Sequence, residues 1–198
     1  MLLLSDNDIL IKLGLLGLLP DFIEVLELDN EQIYITRSAS YALPRQLKKY
    51  TRNQAIYHPI LDLVASFKVL EEVDVDIIGK LQRDDIDSGE SIIAAKLIED
   101  NQYYMATGDK RFLKAIKQTE FVFHFSHKIY SFEIILLLLC QKIGYSHIKE
   151  KIIYSCSQLD KPLDNLFRLA FKDGSSEDSD MECLKSYSND ISDLLINI

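Results

Sequence analysis

The sequence predicts an α/β fold built on a mainly parallel sheet. Short apolar runs, each long enough for one strand, alternate along the chain with segments whose apolar residues recur at helical spacing. Strands that alternate with helices usually pair in parallel, because each helix returns the chain to the edge where the previous strand began. A third observation is that acidic residues follow some of these runs, as expected where the carboxyl ends of parallel strands gather functional groups.

The predicted elements are justified by periodicity and by proline positions. Apolar runs predict five strands, at 2–5, 33–36, 73–77 (an edge strand), 103–107 and 121–125. Helical spacing predicts a first helix from Ile9 that stops at Pro20, and Pro59 suits the first turn of a helix that runs to Phe67. Further helices are predicted at about 44–50, 79–83, 90–98, 110–117, 131–143, 146–157 and 162–171.

Composition predicts one domain followed by an acidic tail. The chain has 198 residues, of which 47% are hydrophobic and 27% charged, so it can bury a substantial core. We assign 1–172 to the domain, with its core in about 1–130 and closing helices in about 131–172. Residues 173–198 carry seven acids and one lysine. Within this tail 174–180 is predicted to be a solvated linker, and helical spacing near the end predicts a terminal helix that docks on the domain or on a partner, through Ile191, Leu194, Leu195 and Ile198.

Several classes of protein are disfavoured. The longest apolar run, 134–140, is far shorter than the ~20 residues that span a bilayer, and acids interrupt the N-terminal apolar run as no secretory signal would. The three cysteines, Cys140, Cys156 and Cys183, are odd in number and lack paired histidines, so neither a disulfide framework nor a zinc site is indicated. We expect a cytoplasmic protein without a membrane partner.

Three acidic residues stand where predicted helices begin, namely Asp6, Glu90 and Asp109. Two of them directly follow predicted strands, so the three carboxylates can meet at one edge of the sheet and form a divalent-metal site. Each acid also has a structural interpretation. Asp6 can cap the first helix, Asp87 and Glu90 fit a capping box, and Thr107 can cap a helix whose dipole favours Asp109 in its first turn.

Two groups of basic residues are candidates for binding phosphates. Between Gln32 and Leu61 there is no acid, and five cations form what we call the basic patch: Arg37, Arg45, Lys48, Lys49 and Arg52. Tyr41, Tyr50 and Tyr57 lie among them and can stack on unpaired bases if exposed. The alternative is a solvated helix face with core tyrosines. The second group directly follows Asp109 and comprises Lys110, Arg111, Lys114 and Lys117.

Three segments resemble the motifs of the PIN-domain nucleases. LLSDNDILI at 3–11 is similar to that family's first strand and acid, and DSGESIIAAK at 87–96 to its Gly-Glu variant, in which the Glu opens an alanine-rich helix. MATGDKRFL at 105–113 is similar to its Thr-x-Asp motif. The resemblance spans about residues 1–130, and the following helices are similar to the C-terminal helices of some members. It implies a three-layer α/β/α, PIN-like domain.

The resemblance also implies a chemistry. Asp6, Glu90 and Asp109 would be catalytic ligands of Mg²⁺ or Mn²⁺, with Thr107 orienting one of them; hard cations of this kind prefer carboxylate oxygens. Asp8 is either a supporting ligand or an exposed acid at the start of a helix. The implied activity is a metal-dependent endoribonuclease that cleaves single-stranded or structured RNA, toxin-like, with the basic patch gripping the strand. Candidate partners are RNA, an antitoxin or other protein, and a second copy of the chain.

The sequence departs from the family pattern at one position. Many members carry another acid on the helix after the second strand, whereas residues 40–47 contain none. The alternative function is therefore a PIN-like binding or scaffold protein with weakened metal affinity. A nucleotide-binding α/β domain is a weaker alternative, because Gly14 and Gly17 fall inside a predicted helix and no glycine-rich phosphate loop follows a strand.

Overall fold

A single parallel sheet organises the protein. The computed structural model describes residues 1–4, 7–71, 73–163 and 165–198. In these residues the strands are β1 (Leu2–Leu4), β2 (Ile33–Ile35), β3 (Lys68–Val69), β4 (Tyr104–Thr107) and β5 (Ile129–Ser131). All described pairings are parallel, in the order β3-β2-β1-β4-β5. The predicted α/β class with a parallel central sheet is confirmed.

Helices flank this sheet in an α/β/α arrangement. In chain order they are α1 (Asn7–Leu15), α2 (Leu19–Val25), α3 (Arg37–Leu47), α4 (Gln54–Ala65), α5 (Val75–Leu81), α6 (Ser88–Glu99), α7 (Lys110–Ile116), α8 (Phe132–Ile143), α9 (Tyr145–Ser157), α10 (Leu166–Leu169) and α11 (Glu177–Ser188). All three residues of β1 are buried, so the central strand is covered on both faces. Gly14 of α1 lets α4 approach closely, because an added Cβ would lie 2.7 Å from Ile60 Cγ2. A packing role thus explains this glycine.

Two predicted strands are wrong. The alternating run at 73–77 is instead the start of α5, because the Asp74 side chain accepts the N–H groups of Asp76 and Ile77 and so caps a helix. The run at 121–125 contains a 3₁₀ helix, Val122–Phe125, and Phe123 in it is 87% exposed. The strands at these ends of the sheet are the shorter β3 and β5.

Several helix boundaries also differ from the prediction. The first helix ends at Leu15, and Pro20 lies in the first turn of α2, where its missing N–H costs nothing. α3 begins well before residue 44, since Thr36 Oγ1 accepts the Ala39 N–H at 3.3 Å and caps it. α4 likewise begins five residues before Pro59. The helix predicted at 162–171 is only the single turn of α10.

The acidic tail docks on the domain. α11 packs against α8, and Leu184, Ile191, Leu194 and Leu195 are buried. Asp180, predicted to lie in a solvated linker, is fully buried. Instead of a terminal helix the chain forms a 3₁₀ turn, Asn189–Ile191, and then a parallel bridge between Leu195 and Ile129 of β5. The domain therefore covers three residues of the apolar face proposed as a docking surface, Ile191, Leu194 and Leu195, while Ile198 is 45% exposed. None of the described helices is long and apolar enough to cross a membrane.

Candidate functional site

The strand register brings several helix starts to one edge of the sheet. Leu4, the last residue of β1, is paired with Ile35 of β2 and Ala106 of β4. Thr107, the last residue of β4, is paired with Ser131 of β5. The segments that follow these four strands therefore leave the sheet side by side. This is the edge at which the sequence predicts a site.

A cleft of about 520 Å³ opens at this edge, and we call it the acid cleft. Its walls are the first turns of α1 and α6 and both ends of α3. The acids among its described lining residues are Asp8, Asp87 and Glu90. The remaining lining residues are Asn7, Ile11, Thr36, Ser38, Gln46, Lys49, Tyr50, Ser88 and Gly89. Polar and charged groups dominate this wall, as a site for charged ligands requires.

The start of α1 contributes Asp8 to the acid cleft, while the predicted ligand Asp6 lies outside the described residues. Asp8 Oδ2 lies 2.6 Å from Lys12 Nζ one helical turn later. The turn between β4 and α7 touches the same carboxylate, because a Cβ added to Gly108 would lie 3.0 Å from Asp8 Oδ2. Asp8 thus stands between its own helix and the segment that carries Asp109.

Glu90 is the most perturbed acid of the cleft. Its Oε2 accepts the Asp87 N–H at 2.8 Å, and Asp87 Oδ1 accepts the Glu90 N–H at 2.9 Å, which confirms the predicted capping box. Glu90 is 4% exposed. Burial, with smaller contributions from the negative charges of Asp87 and Asp109, raises the pKa of Glu90 to about 7. Glu90 and Asp109 are therefore close enough to repel each other.

Asp109 begins α7 and caps it directly. Its Oδ1 accepts the N–H groups of Arg111 and Phe112 at 2.8 and 3.0 Å. Thr107, predicted to be the cap itself, instead accepts the Asp109 N–H at 3.1 Å through its hydroxyl. Thr107 is 1% exposed, so it fixes the backbone of Asp109 from inside the fold.

One polar atom at the cleft has no hydrogen-bond partner among the described residues. Asn7 Oδ1 is buried, and no described donor reaches it. Such an amide oxygen is the type of ligand that Mg²⁺ or Mn²⁺ accepts, and the lining offers carboxylate and hydroxyl oxygens but no histidine or cysteine. The oxygen atoms of these residues are thus of the type that a hard cation binds. Among the described residues, however, no group of three or more His, Cys, Asp or Glu is arranged to hold a metal ion.

At this edge of the sheet lies a buried acid that the sequence does not single out, Glu133. It lies in the first turn of α8, directly after β5, and its Oε1 is 2.6 Å from Lys110 Nζ. Glu133 is 6% exposed. The Ser131 cap of α8, two residues before the acid, was the available signal. A strand at 121–125 does not end beside Glu133, whereas β5 does.

The basic patch follows α3 from its first residue to the loop after its end. Arg37 begins the helix, Arg45 lies in its last turn, and Lys48, Lys49 and Arg52 follow; all five side chains are exposed. Lys49 also lines the acid cleft, so the patch and the cleft are continuous. The tyrosines near the patch differ in exposure, so only some of them can stack on an unpaired base. Tyr41 is 79% exposed, Tyr50 lines the cleft, and Tyr57 is a core residue.

The second basic group is largely neutralised within the chain. Lys110 pairs with Glu133, Arg111 lies 3.4 Å from Asp109, and both Lys114 and Lys117 pair with acids of the C-terminal segment. Lys110 also donates to the Tyr187 carbonyl at 2.7 Å. These cations are therefore poor candidates for binding a nucleic acid. The basic patch remains the better one.

Comparisons with protein-family models, with curated proteins and with solved structures found no match to this chain.

Proposed function

We propose that the protein is a metal-dependent endoribonuclease of the PIN-like type, acting on single-stranded or structured RNA. One observation carries the proposal: Glu90 is buried at the carboxyl edge of a parallel sheet, repelled by Asp87 and Asp109, and its pKa is raised to about 7. A strongly perturbed acid in a cleft is a mark of functional sites. A bound cation would relieve this repulsion.

The proposed ligands of Mg²⁺ or Mn²⁺ are Glu90 and Asp109, together with Asp6 on sequence grounds and Asp8 in support. When bound, the ion supplies activation of water and neutralisation of phosphate charge. Asp109 is not among the described residues that line the acid cleft, but its negative charge acts on Glu90. Thr107 holds the Asp109 backbone through the 3.1 Å hydrogen bond and so fixes the start of α7. Lys49, on the opposite wall, supplies a positive charge for the phosphate backbone.

RNA cleavage by the purified protein with Mn²⁺ tests the proposal. We expect Asp109→Asn and Glu90→Gln each to lower the cleavage rate by about a hundredfold or more while leaving the fold intact. Glu24→Gln, which removes one exposed acid from α2, is the control and should cleave as the wild type does. Absence of cleavage by the wild type, or equal cleavage by all three variants, would refute the nuclease assignment.

A non-enzymatic PIN-like binding or scaffold protein is the second candidate function. It is favoured by the partners that the acids already have: Lys12 for Asp8, the Asp87 N–H for Glu90, and two backbone N–H groups for Asp109. Acids that serve only as caps need no metal. This candidate predicts that Mn²⁺ neither binds nor raises the melting temperature. The toxin-like role, and partnership with an antitoxin or with a second copy, remain proposals that follow from the nuclease assignment.

A further inference from the structure

A second, smaller cavity lies beside the acid cleft and is lined almost entirely by cations. Its volume is about 360 Å³, and its lining residues are Lys48, Lys49, Arg52, Asp160 and Lys161. Asp160 and Lys161 come from the loop after α9, more than a hundred residues beyond the other three, and no sequence pattern links Lys161 to the basic patch. Asp160 is the single acid among these five residues.

Two hydrogen bonds connect the walls of this cavity, one of them to the Asp160 side chain and one between backbone groups. Asp160 Oδ2 accepts the Arg52 N–H at 3.0 Å, and the Asp160 N–H donates to the Tyr50 carbonyl at 2.8 Å. Asp160 thus serves to hold the loop in place. The Lys48 ammonium lies 5.9 Å from the ring centre of Tyr57, a core residue. The fold therefore brings together the two backbone segments that carry the four cations, so folding has already supplied part of the ordering that binding an anion here would require.

We propose that this cavity binds a phosphate of a polynucleotide strand whose neighbouring nucleotides lie in the acid cleft. The net charge of −9 repels polyanions from most of the surface, so a local cluster of four cations is needed to hold one. Lys49 lines both cavities, and Tyr50, next to it, lines the acid cleft. A strand held here therefore continues towards Glu90. This inference rests on the proposed function, since it gives that function a second point of contact with the substrate.

Binding of a labelled single-stranded RNA in metal-free buffer, measured by fluorescence anisotropy at several salt concentrations, tests the pocket. Lys161→Gln should weaken binding about fivefold at 0.1 M salt and reduce the slope of log K against log salt by about 0.7, as expected for one lost phosphate contact. Lys142→Gln, an exposed lysine at the end of α8, has the same change in charge and should bind as the wild type does. A mononucleotide at the same phosphate concentration should not displace the RNA.

Three results would contradict phosphate binding in this cavity: no RNA binding by the wild type, wild-type affinity and slope in Lys161→Gln, or displacement of the RNA by the mononucleotide. These results are distinguishable from a failure of the nuclease assignment. If the wild type cleaves RNA but Lys161→Gln binds normally, only the pocket is wrong. If binding depends on Lys161 but Mn²⁺ produces no cleavage, only the nuclease assignment is wrong.

Discussion

The acids at the sheet edge serve as caps, and capping does not prevent them from binding a metal. The cap at Glu90 uses Oε2, and the cap at Asp109 uses Oδ1. The cap leaves Oε1 of Glu90 for a ligand, whereas Oδ2 of Asp109 already lies 3.4 Å from Arg111 Nη2, so a cation bound there would have to displace this guanidinium. A neutral residue would serve equally well at both helix starts, Gln at position 90 of the capping box and Ser or Asn at the cap position 109. A capping role alone does not explain why an ionisable carboxyl group is buried at position 90.

The raised pKa of Glu90 predicts an unusual dependence of stability on pH. Between its ordinary value of 4.5 and about 7, the folded protein keeps a proton that the unfolded chain has lost, so the free energy of unfolding falls as pH rises through this window. Glu90→Gln removes this term and should be more stable than the wild type at pH 8 by roughly 1–3 kcal/mol, but not at pH 4.

Urea unfolding of both proteins at pH 4, 6 and 8 measures this difference. Glu24→Gln is the matched control and should follow the wild type across the range. A constant difference between Glu90→Gln and the wild type at all three pH values would show that the Glu90 pKa is not raised.

Asp109 allows its two roles to be separated by two substitutions. Asp109→Asn keeps an oxygen that can accept the Arg111 and Phe112 N–H groups, so its unfolding free energy should stay within about 0.5 kcal/mol of the wild type. Asp109→Ala removes the cap and should cost about 1 kcal/mol. Thermal and urea denaturation measure both. If Asp109→Asn destabilised as much as Asp109→Ala, the cap geometry described for α7 would be incorrect.

At the scale of elements, the chain's periodicity predicts the central strands and the long helices but not the edges of the sheet. β1, β2 and β4 were found because each is a compact apolar run that the core surrounds. β3 has two residues and β5 three, too few for a period of two to show. The actual position of β5 brings Glu133 to the end of a strand, which a strand at 121–125 would not do.

α11 is attached to the domain by a buried polar network around Asp180. Asp180 Oδ2 accepts the Tyr145 hydroxyl at 2.8 Å and the Ser175 hydroxyl at 2.7 Å, and Lys149 Nζ lies 3.7 Å away. Asp180→Ala would leave these donors without their acceptor and should cost about 2–4 kcal/mol of unfolding free energy. Asp178→Ala, an exposed acid in the same helix turn, is the matched control and should cost less than about 0.5 kcal/mol. Equal losses in urea denaturation would show that α11 is not anchored through Asp180.

At the scale of the whole molecule, ion pairs connect the acidic C-terminal segment to α7. Lys114 Nζ lies 2.9 Å from Asp190 Oδ2, and Lys117 Nζ lies 2.6 Å from Asp193 Oδ1. These lysines hold the pKa of both carboxyls below their ordinary values. The stabilisation is therefore present above the ordinary pKa, near 4, and is lost as pH falls through the lowered value.

The double variant Asp190→Asn, Asp193→Asn should melt below the wild type at neutral pH and low salt. The difference should shrink in 1 M NaCl, because exposed ion pairs are screened, and should vanish in acid. Asp62→Asn with Asp84→Asn removes the same charge from exposed positions elsewhere. If this control lowered the melting temperature as much, the ion pairs would not be the cause.

The sequence alone predicts the α/β class, the parallel sheet and the capping box at Glu90, but it does not predict contacts between distant segments. The motif around Glu90 is readable because a capping box is a local signal. The approach of Gly108 to Asp8, the placing of Lys161 beside Arg52, and the docking of Leu194 against β5 depend on tertiary packing. No spacing within a short segment encodes them.

Calorimetric titration of Mn²⁺ into the wild type and into Glu90→Gln tests the central claim most directly, namely that the acids at the sheet edge form a cation site. The account predicts saturable binding by the wild type at pH 8, weaker binding at pH 6 because protons compete for Glu90, and at least tenfold weaker binding by Glu90→Gln. No saturable binding by the wild type, or equal affinity in both proteins, would contradict it.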